Sequence, residues 1–133
     1  MNKTLQDITA AAGRVLIASL FFLSGLGKLA APEGTIGYIA ASGVPLPTLA
    51  YAAALFVEIV LPITLVLGFK VRLSAAAMAL FTAVTAFGFH FELSDQNQYI
   101  HFFKNIAIAG GLMQVVAFGG GRWSVDGWLA SRR

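Results

Sequence analysis

Cysteine is absent from this 133-residue chain, which removes disulfides, thiol catalysis and cysteine-ligated metals together. Any redox role would need a borrowed cofactor. Charge is almost as scarce: 11% of residues are charged, against roughly a quarter in an ordinary soluble domain. Internal repeats, low-complexity tracts and linkers are missing too, so residues 1–133 read as a single domain. The basic balance, a net charge of +3, does not point to nucleic acid, because the cations are dispersed and the aromatics lie inside apolar runs. Its better use is as a topology signal.

What is present in excess is apolar side chain, 58% of the residues, with a mean hydropathy of +0.79. A chain this small cannot hide so much apolar surface in one core. A bilayer is the expected solvent. About 20 mostly apolar residues make a spanning helix, and four segments qualify: Ile8 to Ala30, Thr48 to Gly68, Val71 to Phe91 and Tyr99 to Gly119. The expected fold is all-α, a polytopic membrane protein built as a four-transmembrane-helix bundle. Between the first two spans, Thr35 to Ser42 reads as a short helix on the outer membrane surface, stopped by Gly43 and Pro45. Phe69 and Lys70 make a tight turn, and ELSDQNQ a polar loop. The glycine-rich stretch from Phe118 to Arg122 follows a membrane helix where a phosphate loop would open a soluble one, and reads as a flexible exit from the bilayer.

Four spans put both termini on one side, together with Lys3, Arg14, Lys70, Arg72, Arg122, Arg132 and Arg133. The other side holds only Lys28 and Lys104. The positive-inside rule therefore makes the termini cytoplasmic, with Trp123 and Trp128 at the inner interface and Glu33, Glu92 and Asp95 outside. The run from Val15 to Gly27 has the length of a signal-peptide core, but Asp7 and Lys28 flank it awkwardly, and a retained helix is the preferred reading.

Ionisable groups inside the spans carry the functional interest, since each costs roughly 2.5 to 3.5 kcal/mol at the bilayer centre. Arg14 and Lys28 lie near opposite ends of the first span and can snorkel as simple anchors. They also share a face with Ala18, Phe21 and Gly25, which should point into the bundle. Glu58, ten residues from either end of its span, is too short to snorkel and must be protonated or paired. Pro62, four residues on, cannot donate to its carbonyl, so a kink is expected there. Lys104 is the expected partner, about 7 Å away along the membrane normal. Lys28, nearer the surface, is the less favoured one. Lys104, Ala107, Gly111 and Gln114 share a face that should look inward. His90, Glu92 and His101 suggest a metal site only weakly, because their spacing is unspecific; hydrogen bonding by the histidines is the simpler expectation. No metal ligand set and no catalytic constellation is assigned: Ser24 and Ser74 have no His and Asp arranged nearby in sequence.

The order of motifs, an early arginine at Arg14, SGLGK at 24–28, PLP at 45–47, VE at 57–58, GFKVR at 68–72 and FFKN at 102–105 followed by paired glycines, resembles the DoxX family, in particular its small bacterial inner-membrane members. The resemblance runs from about Arg14 to Asp126. It implies a four-helix protein of the bacterial cytoplasmic (inner) membrane, and selects Arg14, Lys28, Glu58, Arg72, Lys104 and Asn105 as the matching polar positions. The family is named for subunits of a thiosulfate:quinone oxidoreductase, so a quinone is the implied non-covalent ligand.

Three functions follow as expectations. The preferred one is a redox-associated membrane subunit, itself non-catalytic, binding a quinone-like or lipid-like molecule in an outer-half polar pocket formed by Glu58, Lys104, His90 and Asn105. The alternative is a non-enzymatic scaffold that docks membrane or redox partner proteins, or further copies of itself. A small oligomeric transporter is the least favoured, since no pair of broken half-helices is visible.

Overall fold

The computed structural model describes residues 1–133. The chain forms helices only: α1 (Lys3–Ala30), α2 (Pro32–Ala41), α3 (Pro47–Leu67), α4 (Val71–Phe89), α5 (Gln96–Phe118) and α6 (Val125–Ala130). Helices α1, α3, α4 and α5 are long and apolar enough to cross a membrane, and they form the expected four-helix bundle. The surface helix α2 begins three residues before the expected Thr35, because Pro32 supplies an N-terminal φ and needs no hydrogen bond there.

Large apolar side chains such as Leu16, Leu23, Leu73 and Leu80 remain exposed on the outside of the bundle, where acyl chains replace water as solvent. Its inside is a packed centre of Phe21, Leu61, Leu65, Val71, Met78 and Leu112 with the small residues Ala18 and Ala75 between them. Small residues matter because helix association in lipid depends on close approach, with no gain from expelling water. Gly25 shows the principle. A Cβ there would come within 2.7 Å of Ile59 Cγ1 and 3.0 Å of the Glu58 carbonyl, so only glycine lets α1 meet α3 at that level.

Helix α3 is not uniformly α-helical. Residues Phe56–Val60 form a π turn, with the amide of Leu61 donating to the carbonyl of Phe56. The kink expected from Pro62 is thus expressed as a widened turn one step before the proline, centred on Glu58. The turn to α4 is tight as expected, with positive φ at Gly68 (72°) and Lys70 (45°). Hydroxyls of Thr64 and Ser74, 2.8 Å apart, join α3 to α4.

Two expectations are corrected, and the choice left open for Arg14 falls to the inward-facing reading. The buried row of α5 is Phe102, Ala109 and Leu112, whereas Lys104, Ala107 and Gln114 are exposed; the larger side chains pack into α4 and leave Lys104 outside the packed row. The stretch Phe118–Arg122 is not a flexible exit. Gly119 and Gly121 take positive φ (75° and 78°), Gly120 is buried, and the chain folds back beneath the bundle into α6. Arg14 does not snorkel: only 2% of it is exposed. Its Nη1 donates at 2.9 Å to the carbonyls of both Leu65 and Val66, and its Nη2 donates to that of Trp123.

Arg14 thereby satisfies the Val66 carbonyl left free where α3 ends, adds a second donor to that of Leu65, which also accepts from the Gly68 amide, and ties the segment around Trp123 to the first helix. Arg72 does the same for α5, donating to Val116 at 2.9 Å and Ala117 at 2.8 Å. Asp126 works in the opposite sense, accepting from the amides of Lys70 and Val71 where α4 begins. Asp7 accepts from Arg122 through both the backbone amide and the side chain, the latter at 2.6 Å. The end of the bundle that carries both termini is closed by these contacts.

Candidate functional site

The opposite end is open inside. A cavity of about 800 Å³ lies among α1, α2, α3, α4 and α5, within the range of roughly 300 to 1,000 Å³ typical of small-molecule sites. Of the six polar residues singled out from the sequence, five line it: Lys28, Glu58, His90, Lys104 and Asn105. Arg14 lies in the closed end and belongs to the architecture described above.

Glu58 is 5% exposed, and the charge on it is met by α1, not by α5. Lys28 Nζ stands 3.0 Å from Glu58 Oε1, and the Ser24 hydroxyl donates to the same oxygen at 2.7 Å. Lys28 also donates to Ser24 at 3.0 Å, closing a triangle. The expected Glu58–Lys104 pair does not form. Two features redirect it: Gly25 lets the Glu58 turn press against α1, and the lysine stem reaches inward from the end of α1. The second carboxylate oxygen, Oε2, is buried with no hydrogen-bond partner. An unpaired buried acceptor costs on the order of 1 to 3 kcal/mol, so its persistence at a cavity wall calls for a proton or for a donor from outside the chain.

His90, at the end of α4, shares a hydrogen bond of 2.7 Å between Nδ1 and Gln98 Oε1. Its ring lies 5.2 Å from that of His101, tilted by 30°, so the two histidines meet across the polar loop as the sequence allowed. Glu92 does not join them, since its carboxylate accepts from Ser94. No three histidine, aspartate or glutamate side chains converge on a point where a metal would sit.

Helix α2 covers part of the cavity through Thr35, Tyr38 and Ile39. Tyr38 stacks on Phe89 of α4, with ring centroids 5.7 Å apart, and the Tyr51 hydroxyl donates to the Lys28 carbonyl where α1 ends. The Tyr38–Phe89 stack makes α2 a roof, and the Tyr51 bond ties α3 to the end of α1 beside it. Sequence reasoning placed α2 on the surface and missed this role, as well as Ser24, Tyr38 and Tyr51. The available signal for Ser24 was its position one turn before Lys28 on α1, an i, i+4 neighbour.

The DoxX family model matches residues 9–91, a stretch that contains Arg14, Lys28, Glu58 and His90 and stops before α5. Two curated relatives extend the similarity to nearly the whole chain. The Inner membrane protein YqjF of Escherichia coli (strain K12) is 33% identical over 127 residues, covering 93% of this chain and 94% of the relative. The Inner membrane protein YphA of the same organism is 33% identical over 119 residues, covering 85% and 84%. No solved structure matches the chain. With a family match over more than half its length and relatives aligned almost end to end, this four-helix protein belongs to the DoxX family.

Proposed function

We propose that this protein is a non-catalytic inner-membrane subunit that holds a quinone-like or lipid-like amphiphile in the cavity beneath α2. The observation that carries the reading is the buried, unpartnered Glu58 Oε2 at the wall of a cavity whose remaining lining includes Leu20, Phe21, Phe81 and Ile108. A polar head would find Glu58, His90, Lys104 and Asn105, and an apolar tail would lie against the aromatic and aliphatic wall. The residues fit a quinone in this sense, with donors for its carbonyl oxygens and an acceptor for a hydroxyl. Redox association is carried by the family resemblance.

Inner-membrane placement draws on the names of the two relatives. The orientation draws on charge: seven basic residues accompany the termini and two the opposite side, which puts the termini in the cytoplasm and the cavity in the outer half. Titration of the purified protein in lipid nanodiscs with a short-chain quinone tests the reading. Saturable binding that weakens about tenfold in Glu58→Gln, equivalent to about 1.4 kcal/mol, is expected. Saturable binding indifferent to that change would remove Glu58 from the site.

A second reading, a docking scaffold for membrane partners or further copies of the chain, draws on the other end of the bundle. Trp123 and Trp128 are each more than half exposed there, and Arg132 lies 4.3 Å over the Trp128 ring. A partner that copurifies with the wild type and with Lys104→Gln, but not with a chain altered in 128–133, would favour it over ligand binding.

A further inference from the structure

The acidic residues of the chain are nearly all committed. Asp7 meets Arg122 and Glu58 meets Lys28. Asp126 holds the start of α4, Asp95 caps α5 and Glu92 accepts from Ser94. The sixth, Glu33, sits exposed in the first turn of α2. Lys104 forms an ion pair with none of them. It lies eight residues beyond Gln96, roughly 12 Å along the helix axis, and borders the cavity as an exposed ammonium without a carboxylate partner. The cavity wall thus holds two ammonium groups against one carboxylate.

Lys104 is not alone. His101 and Asn105 flank it at spacings of three and one, all three line the cavity, and His101 and Lys104 share a helix face. None of these three side chains hydrogen-bonds to another part of the chain, while His90, Glu58, Lys28 and Ser24 around them all do. An ammonium and a carboxamide are rich in N–H donors, and an imidazole adds one more. Their complement is a head that accepts several hydrogen bonds and carries negative charge. The apolar remainder of the cavity demands that this head bring a hydrocarbon tail.

We propose that the cavity selects an amphiphile with an anionic oxygen head, a carboxylate or a phosphate ester, whose charge is met by Lys104 with His101 and Asn105 as further donors. The inference rests on the amphiphile-binding reading above and specifies its ligand class. Glu58 does not repel such a head, because its charge is neutralised by Lys28 and its free Oε2 accepts from a hydroxyl or a protonated phosphate. A neutral quinone would leave the Lys104 charge unmet.

The test uses three probes with one tail: oleate, 1-oleoyl lysophosphatidate and the neutral 1-monoolein. Each is titrated into the full chain in a non-ionic detergent and read by native mass spectrometry and by displacement of a tail-labelled fatty acid. Oleate or lysophosphatidate should bind about tenfold more tightly than monoolein, the value expected from one ion pair in a partly desolvated site, and whichever binds better identifies the source of the head. Lys104→Gln should reduce that preference to about twofold or less while Lys104→Arg keeps it. Gly88→Leu supplies the steric control: Gly88 lines the cavity, and a Cβ there meets nothing within 4 Å, so the new side chain should narrow the cavity and weaken binding of all three alike.

Equal affinity for oleate, lysophosphatidate and monoolein overturns the anionic-head inference and leaves the amphiphile reading standing, as does binding of a quinone alone. A preference for anions that survives Lys104→Gln removes Lys104 from its role. Failure of all three probes and of a quinone to bind folded wild-type protein overturns the reading on which the inference rests. If Lys104→Gln does not fold, the comparison of heads in the wild type and in Lys104→Arg decides the matter.

Discussion

The ammonium of Lys28 lies 3.0 Å from Glu58 Oε1, joining the last turn of the first spanning helix to the middle of the second. The pair is asymmetric: the lysine side chain is 30% exposed and the carboxylate 6%. Its two ends therefore face different dielectric surroundings, and the glutamate is the member that suffers when the pair is broken.

Removing Lys28 alone should cost about 3 kcal/mol, the lower end for a buried pair, because water or headgroups reach the lysine. Charge exchange checks the partner. Folded yield and thermal midpoint in detergent should fall in Lys28→Glu and in Glu58→Lys, and recover in the double variant. Lys104→Glu combined with Glu58→Lys should show no recovery, and a recovery there equal to that of the Lys28 exchange would contradict the structure.

Two glycines of α1 give a paired prediction. Gly25→Ala pushes a methyl against Ile59 and the Glu58 backbone and should destabilise by about 1 to 3 kcal/mol. Gly27→Ala meets nothing within 4 Å and should be neutral, or stabilise by up to about 1 kcal/mol through helix propensity. Thermal unfolding of both in one detergent is the measurement, and equal midpoints would refute the close α1–α3 approach.

Arg14 makes three hydrogen bonds to main-chain carbonyls, a task that needs a planar fork and not only a charge. Arg14→Lys should therefore be nearly as damaging as Arg14→Met, each losing about 2 to 4 kcal/mol. Proteolysis near Trp123 should accelerate in both, since that carbonyl loses its donor. Full stability in Arg14→Lys would mean that charge alone suffices.

The spans and the inward face of α1 were legible from hydropathy and from the spacing of Arg14, Ala18, Phe21, Gly25 and Lys28, because helical periodicity is a local property. The gathering of Lys28, Glu58, His90, Lys104 and Asn105 around one cavity was legible in outline, since Glu58 lies mid-span and the other four lie toward one end of their spans. Which charge meets which was not. Depth arithmetic treats helices as parallel rods, whereas the actual contact depends on Gly25 admitting the π turn of α3. The hidden polar partners were also out of reach: the acceptors of Arg14 and Arg72 are main-chain carbonyls at helix ends, and any sequence would supply them. The row of Lys104, Ala107 and Gln114 was read as the packed one because its small and polar residues looked like an interface, while the bulk of Phe102 and Leu112 decided which side packs and left Lys104 bordering the cavity.

The clasp formed by Arg14 also bears on how the chain is made. The first helix leaves the ribosome carrying a guanidinium whose acceptors Leu65 and Trp123 lie 51 and 109 residues further on, and Asp7 waits for Arg122, 115 residues away. Insertion of α1 thus precedes the last of its Arg14 contacts by 109 residues of synthesis. A nascent chain cut short of Trp123 therefore keeps an unfinished arginine in its first spanning helix, with one of its three carbonyl acceptors still to come.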